Sequence, residues 1–526
     1  MKNINYKKII RCYALLFTLC IPLLLMQSCT KKSRSDMGKA LFTKTQNKVF
    51  KNVTPEGFAP VFQKVIQEQK SSLGNPLQIE AFYAQNDYDP KFVMDHLNND
   101  DLKTFSSYLL KANEHGLDPN LFKAQAYNDL LNKFYDKKAI KTTDEAYHDI
   151  AELELMTANI LINYSNALQY GIISPRRIYA RYYTATQRPD SNAVNKVLAV
   201  TNFKTYLDSI QPKNPQYLAL QKALLSSSTA PGMTQEETDR TIKVNLERLR
   251  WKNKPSQDKY VIVNIPDFRL DVMEGGKSTL NMKVCVGEGR NKDYANTLIE
   301  YDDSDKTDRP FSRETPQLAS MIYEAQVNPI WNIPQSIVSK EIVKHAEDDP
   351  YYLANNNIDV FENGKKLEDS ETIDWGSEDL SKYEFKQRPG DDNSLGKVKF
   401  LFPNKSSVYL HDTPAQEPFK KNMRAVSHGC VRLEKPLDLA HSLFGDGSKY
   451  DMIKQFMSED NPKPTDVALS KKVPVYITYV TCWADENGTL QYRPDVYGLD
   501  IVLFAHMQKF LASNSKTVLA MATPAN

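Results

Sequence analysis

The hydrophobic period changes along this chain, and that change limits what it can fold into. From about residue 75 to 245 apolar positions recur at helical spacing, whereas from about 259 onward they alternate or run continuously, as strands do. A helical stretch followed by a strand-rich one reads as an α+β protein, with an all-α N-terminal scaffold and a mostly β domain behind it. Within the helical part, Thr142 with Glu145 three residues on marks a helix start, and Ile150, Leu153, Thr157, Ile160, Tyr164 and Leu168 share a face up to a stop at Gly171. A second helix is predicted from about Asp101 to His115, ending at Gly116, while 211–239 reads as a polar loop. At 526 residues the chain has room for two or three domains, each with its own core.

In the strand-rich part, 259–265 and 268–274 are strand-like, and Gly275-Gly276 turns the chain into a third strand over 278–286. Residues 336–394 interrupt the sheet pattern with acidic and aromatic character, which is the mark of a lid or subdomain and not of slack. Strand pattern resumes at 397–402 and 407–410, then at 472–483. The expected layout is a signal segment at 1–29, a tether at 30–74, the helical scaffold at 75–245, the β domain at 246–505 and a tail at 506–526.

The N-terminus points to export. Lys2, Lys7, Lys8 and Arg11 precede an apolar run from Tyr13 to Met26, shorter than a membrane span needs, as in a secretory signal. The run closes on Leu25-Met26-Gln27-Ser28-Cys29, which resembles a bacterial lipobox, so Cys29 is expected to be lipidated and to hold an exported, periplasmic protein on a membrane, the outer membrane being the expected one. A formal net charge of +2, with no basic stripe interleaved with aromatics, gives no argument for nucleic acid.

Of six cysteines, Cys12 and Cys20 leave with the signal and Cys29 takes lipid, so Cys285, Cys430 and Cys482 remain. Cys285 and Cys482 lie in strand-like runs, as small buried residues do. Cys430 differs. It ends the stretch Val408 to Leu433, VYLHDTPAQEPFKKNMRAVSHGCVRL, in which a strand delivers His411 and a polar loop leads to Ser427-His428-Gly429-Cys430-Val431-Arg432. A thiol with nearby imidazoles is a nucleophile with candidate bases. His411 is the expected general acid/base and His428 a supporting group, and Gly429 lets backbone amides approach a reacting carbonyl as an oxyanion hole. Arg432 suits a substrate carboxylate or a brace against Glu434; Tyr409 and Ser427 are expected to line the site. Asp412 or a backbone carbonyl would orient His411, and sequence leaves that choice open. Three metal ligands from His411, His428 and Cys430 do not match usual zinc spacings, so no metal or cofactor is expected.

Together, His411-Asp412-Thr413, Phe419 and the S-H-G-C-V-R run, with Tyr260 to Pro266, Val327 to Pro334 and Pro389 to Gly396 upstream, resemble the L,D-transpeptidases with a YkuD-type catalytic domain. The likeness is to the large branch with a helical N-terminal region and an insertion over the site. It implies a β-sandwich or barrel, a lid at 336–394, and Trp331 as a wall against substrate or a core aromatic. It also implies acylation of Cys430 by a peptidoglycan stem peptide, transfer to an amine of a second stem to give a 3→3 cross-link, and inhibition by carbapenem-type β-lactams. The alternatives are an L,D-carboxypeptidase or wall-protein amidase using the same site, and a non-enzymatic lipoprotein that binds peptidoglycan.

Overall fold

A computed structural model describes residues 37–253, 255–289, 313–459 and 462–514. The signal segment, Cys29 and the acidic stretch at 300–308 lie outside the described residues. From Met37 the chain is already helical, at Met37–Thr45 and Pro55–Gln69. Phe50, Phe58 and Phe62 from this stretch are fully buried in the helical core, so the tether expected over 30–74 is folded structure from residue 37. Phe58 and Phe62 fall four apart on one helix face and stack at 5.2 Å, a pairing that sequence spacing alone allows to be read.

The central helix is Thr143–Tyr170. Thr142 Oγ1 accepts from the Glu145 amide at 3.2 Å, but the Glu145 carboxylate accepts from Lys141 and not from Thr142, so only half of the expected capping box forms. A complete box sits instead at Thr234 and Glu237, opening the helix Gln235–Arg250. That helix runs through the expected domain boundary at 246. The stretch read as loop over 211–239 contains the helix Pro215–Ser226, packed through Tyr217 and Leu220.

Among the described residues the strands are, in chain order, β1 Tyr182–Tyr183, β2 Lys259–Asn264, β3 Arg269–Glu274, β4 Lys277–Gly287, β5 Gln317–Val327, β6 Trp331–Asn332, β7 Ile358–Glu362, β8 Lys365–Lys366, β9 Tyr383–Gln387, β10 Val398–Leu401, β11 Leu410–His411, β12 Ala425–Ser427, β13 Val431–Leu433, β14 Thr465–Thr478, β15 Cys482–Ala484 and β16 Leu490–Tyr492. The main sheet runs β5-β10-β11-β13-β4-β3-β2-β14, and β14 pairs again with β5, so it closes into a barrel. Closure removes free edges, and alternate residues such as Val261, Val263, Leu270 and Val272 fill the interior. The β3–β4 turn uses Gly275 and Gly276 at φ 59° and 75°, the left-handed values of a two-residue hairpin loop.

The two halves share one core. β1, from the helical half, adds a parallel strand to β5. Arg248 of the helix Gln235–Arg250 pairs with Asp500 at 2.6 Å, and Gln216 exchanges two 2.7 Å bonds with the backbone of Ala484. The lid has its own small sheet, β6-β9-β7-β8, over a separate core that includes Val338, Leu353, Val360, Trp375 and Phe385. It begins with β6 at Trp331, five residues before the expected start, because β6 pairs with β9.

Candidate active site

Parallel pairing sets the site. Leu410 lies opposite Val431 and His411 opposite Arg432, so Tyr409 lies beside Cys430. Side chains alternate across a strand, which sends Leu410 and Val431 into the core, both fully buried, and Tyr409, His411, Cys430 and Arg432 to the other face. That face lines a cavity of about 510 Å³ between barrel and lid. Ser427 and His428 line it from the nucleophile loop, and Trp331 and Glu341 from the lid. Trp331 also packs against the lid core, so it is both wall and core.

His411 is 4% exposed, and its Nδ1 lies 2.5 Å from the carbonyl of Asp412. The carbonyl can only accept, so Nδ1 carries the proton and Nε2 the basic lone pair. The open choice of orienting group thus falls to the backbone. The Asp412 carboxylate is engaged elsewhere, accepting from the amides of Lys397 at 2.8 Å and Thr413 at 2.7 Å. Burial, with Arg432 adding to it, pushes the imidazole down to about 4, so it is neutral at pH 7.

Cys430 is half-buried. Dehydration raises its thiol, while a backbone hydrogen bond from Tyr409 and the charges of Arg432, Lys399 and Arg181 oppose that rise. Arg432 and Lys399 also disfavour imidazolium at His411. The resting pair is therefore thiol and neutral imidazole. Cys285 and Cys482 are buried free thiols, pushed up by burial to about 11 and about 12. They sit apart, Cys285 opposite Arg432 on β4 and Cys482 in a cluster with Tyr217 and Leu220.

The nucleophile loop is clamped from behind. Ser427 Oγ donates to the Cys430 carbonyl at 2.5 Å and accepts from the Gly429 amide at 3.1 Å. The amide expected to serve an oxyanion hole is thus bonded within the loop. Gly429 has φ 120°, which a side chain would strain. Its carbonyl accepts from Thr315 Oγ1 at 2.9 Å, and Tyr497 OH accepts from the Thr315 amide at 3.1 Å while donating to the Gly287 carbonyl at 2.7 Å. Gly287 is needed for this contact, because a Cβ there would lie 1.9 Å from the Arg313 carbonyl. In front, Glu341 Oε1 accepts from His428 Nε2 and from Arg313, each at 2.7 Å. Arg432 Nε is buried without a hydrogen-bond partner among the described residues.

Sequence reading missed Thr315, Tyr497, Arg313, Glu341 and Arg181. Their distances in sequence from Cys430 carry no motif, and Arg181 comes from the helical half, whose expected role is only that of a scaffold. Two histidines of that half are held inside it, His96 beside Asp101 at 3.0 Å and His115 beside Tyr217 at 3.1 Å. A second cavity of about 450 Å³ lies in this half, lined by Tyr217, Arg250 and Trp251 among others, and Arg250 there is held by Glu247 at 2.7 Å.

Comparison with known proteins bears on both halves. Residues 258–444 match the family model described as the L,D-transpeptidase catalytic domain, YkuD, and residues 77–224 match one described as a Scaffold domain. A curated protein of Haemophilus influenzae, provisionally named an L,D-transpeptidase, is 29% identical over 324 residues, which cover 61% of this chain and 61% of that protein.

Proposed function

Because the chain carries an L,D-transpeptidase catalytic domain of the YkuD type behind a Scaffold domain, we propose that it cross-links peptidoglycan stem peptides through a thioester on Cys430. The observation that supports this most directly is that His411 and Cys430 lie on one face of paired strands in one cavity. In the proposed cycle Nε2 of His411 takes the thiol proton as sulfur attacks the carbonyl before the terminal D-alanine. The C–N bond breaks, the proton passes to the leaving amine, and the stem remains as an acyl-enzyme. An amine from a second stem then attacks the thioester. Its N–H proton returns through His411 to the sulfur, and a 3→3 cross-link is released.

Arg432, Lys399 and Arg181 lower the cost of negative charge on sulfur, and Arg432 and Lys399 also resist imidazolium, which suits proton transfer during attack better than a stored ion pair. Arg432, with its unpartnered Nε, suits a carboxylate of the donor stem. Tyr409, Ser427 and Trp331 complete the walls. The lid limits water, which would otherwise hydrolyse the thioester and yield a carboxypeptidase. Lipidation at Cys29 would place this site on a membrane facing the wall.

The test is mass spectrometry of muropeptides incubated with the purified protein. Cross-linked dimers that disappear in Cys430→Ala are expected. Shortened monomers without dimers would assign the carboxypeptidase reaction instead.

A further inference from the structure

The cavity's charges are unevenly placed. Among the described residues that line it, Glu341 is the sole carboxylate, against Arg181, Arg313, Arg432 and Lys340. The cations around sulfur suit a donor stem, which ends in a carboxylate. They do not suit an acceptor, whose amine is an ammonium at neutral pH and is repelled by them. Glu341 is the group of opposite sign, and it stands beside the nucleophile loop, 2.7 Å from His428 Nε2. His428 itself is two residues from Cys430.

Three further observations fit a ligand contact. Both bonds to Glu341 fall on Oε1, and Oε2 carries none among the described residues. The side chain is 35% exposed, so a ligand can reach it. It lies in a π-helical turn, Val338–Ile342, a rare local geometry that is frequent at functional sites. Arg313 does not serve Glu341 alone, since it also faces Glu288 at 3.4 Å.

We propose that Glu341 binds the ammonium of the acceptor stem and so decides whether the thioester goes to cross-link or to water. This rests on the transpeptidase reading above. In the step, the surplus proton of the ammonium passes to His428, whose imidazolium Glu341 holds. The neutral amine attacks the thioester carbon, the C–S bond breaks, and the remaining N–H proton reaches sulfur through His411. His428 then releases its proton to water, so protons, bonds and charges balance and the site is restored.

The test uses the full-length chain in detergent with a tetrapeptide stem as donor and acceptor, scoring acyl-enzyme by intact mass and the ratio of dimer to tripeptide. Glu341→Gln is expected to lower that ratio about tenfold, as for a lost charged hydrogen bond, with recovery at high acceptor concentration. Glu341→Asp is expected to keep part of it. If Glu341→Gln slows acyl-enzyme formation while the ratio holds within twofold, Glu341 is only a latch for the lid and the proposal is overturned. A wild-type protein that forms no acyl-enzyme, or an acyl-enzyme but no dimer, overturns the transpeptidase reading itself, a distinguishable result.

Discussion

The nucleophile loop is held differently at its back and at its front. Behind it, Thr315, Tyr497 and Tyr479 form neutral hydrogen bonds in the dry core, continuing to Asp495 and the Arg248–Asp500 pair. In front, Glu341, Arg313 and His428 are charged or chargeable and about one third exposed. A buried neutral bond has no competing water, so losing one leaves an unsatisfied group. A half-exposed ion pair contributes little to stability and can be exchanged for a ligand. The back therefore fixes geometry, and the front is free to recognise.

The largest effect tests the group that both sides serve. His411→Asn should slow Cys430 acylation by about 10²- to 10⁴-fold, the usual range for a general base. In the wild type the acid limb of acylation should lie near pH 4 and not near 6.5, because the depressed imidazole stays unprotonated down to there. The same depression means that stability conferred by neutral His411 is full above 6.5 and is lost as pH falls from 6.5 through 4. An acid limb at 6.5 in a stopped-flow pH profile would show the ring to be wetter than its burial implies.

Next comes the back of the loop. Tyr497→Phe removes a donor to Gly287 and an acceptor from Thr315, and should slow acylation about tenfold while leaving the dimer-to-tripeptide ratio unchanged. A change in that ratio would erase the distinction between back and front. Smallest is Glu288→Gln at the rim, where Arg313 still has Glu341; its effect on the ratio should stay within about threefold. A tenfold effect there would mean that Glu288, and not Glu341, carries the front.

Much of this is legible in the sequence. Period alone separates the helical half from the strand-rich half, and the thiol and imidazoles gathered between Val408 and Leu433 mark the site, though not the parallel β11–β13 pairing that sets Tyr409 beside Cys430. What sequence did not carry has physical reasons. Residues 37–74 do carry helical spacing, Phe58, Phe62, Val65 and Ile66 falling on one face of Pro55–Gln69, but the polar residues that follow Cys29 drew the tether reading over them, and Phe50, Phe58 and Phe62 bury fully. Residues 211–239 look polar because the Pro215–Ser226 helix buries little beyond Tyr217 and Leu220. Thr315, Tyr497 and Arg181 reach the site only through barrel closure and the β1–β5 pairing, contacts between distant segments that leave no local pattern. Gly429 was legible as a glycine of necessity, but not that its amide is bonded to Ser427.

The central claim is that, of the three thiols among the described residues, Cys430 alone is activated, and intact-protein mass after exposure to a carbapenem tests it most directly. A single adduct on wild type, mapped to Cys430 and absent from Cys430→Ala, is the expected result. An adduct that persists in Cys430→Ala, or none on the wild type, would contradict it.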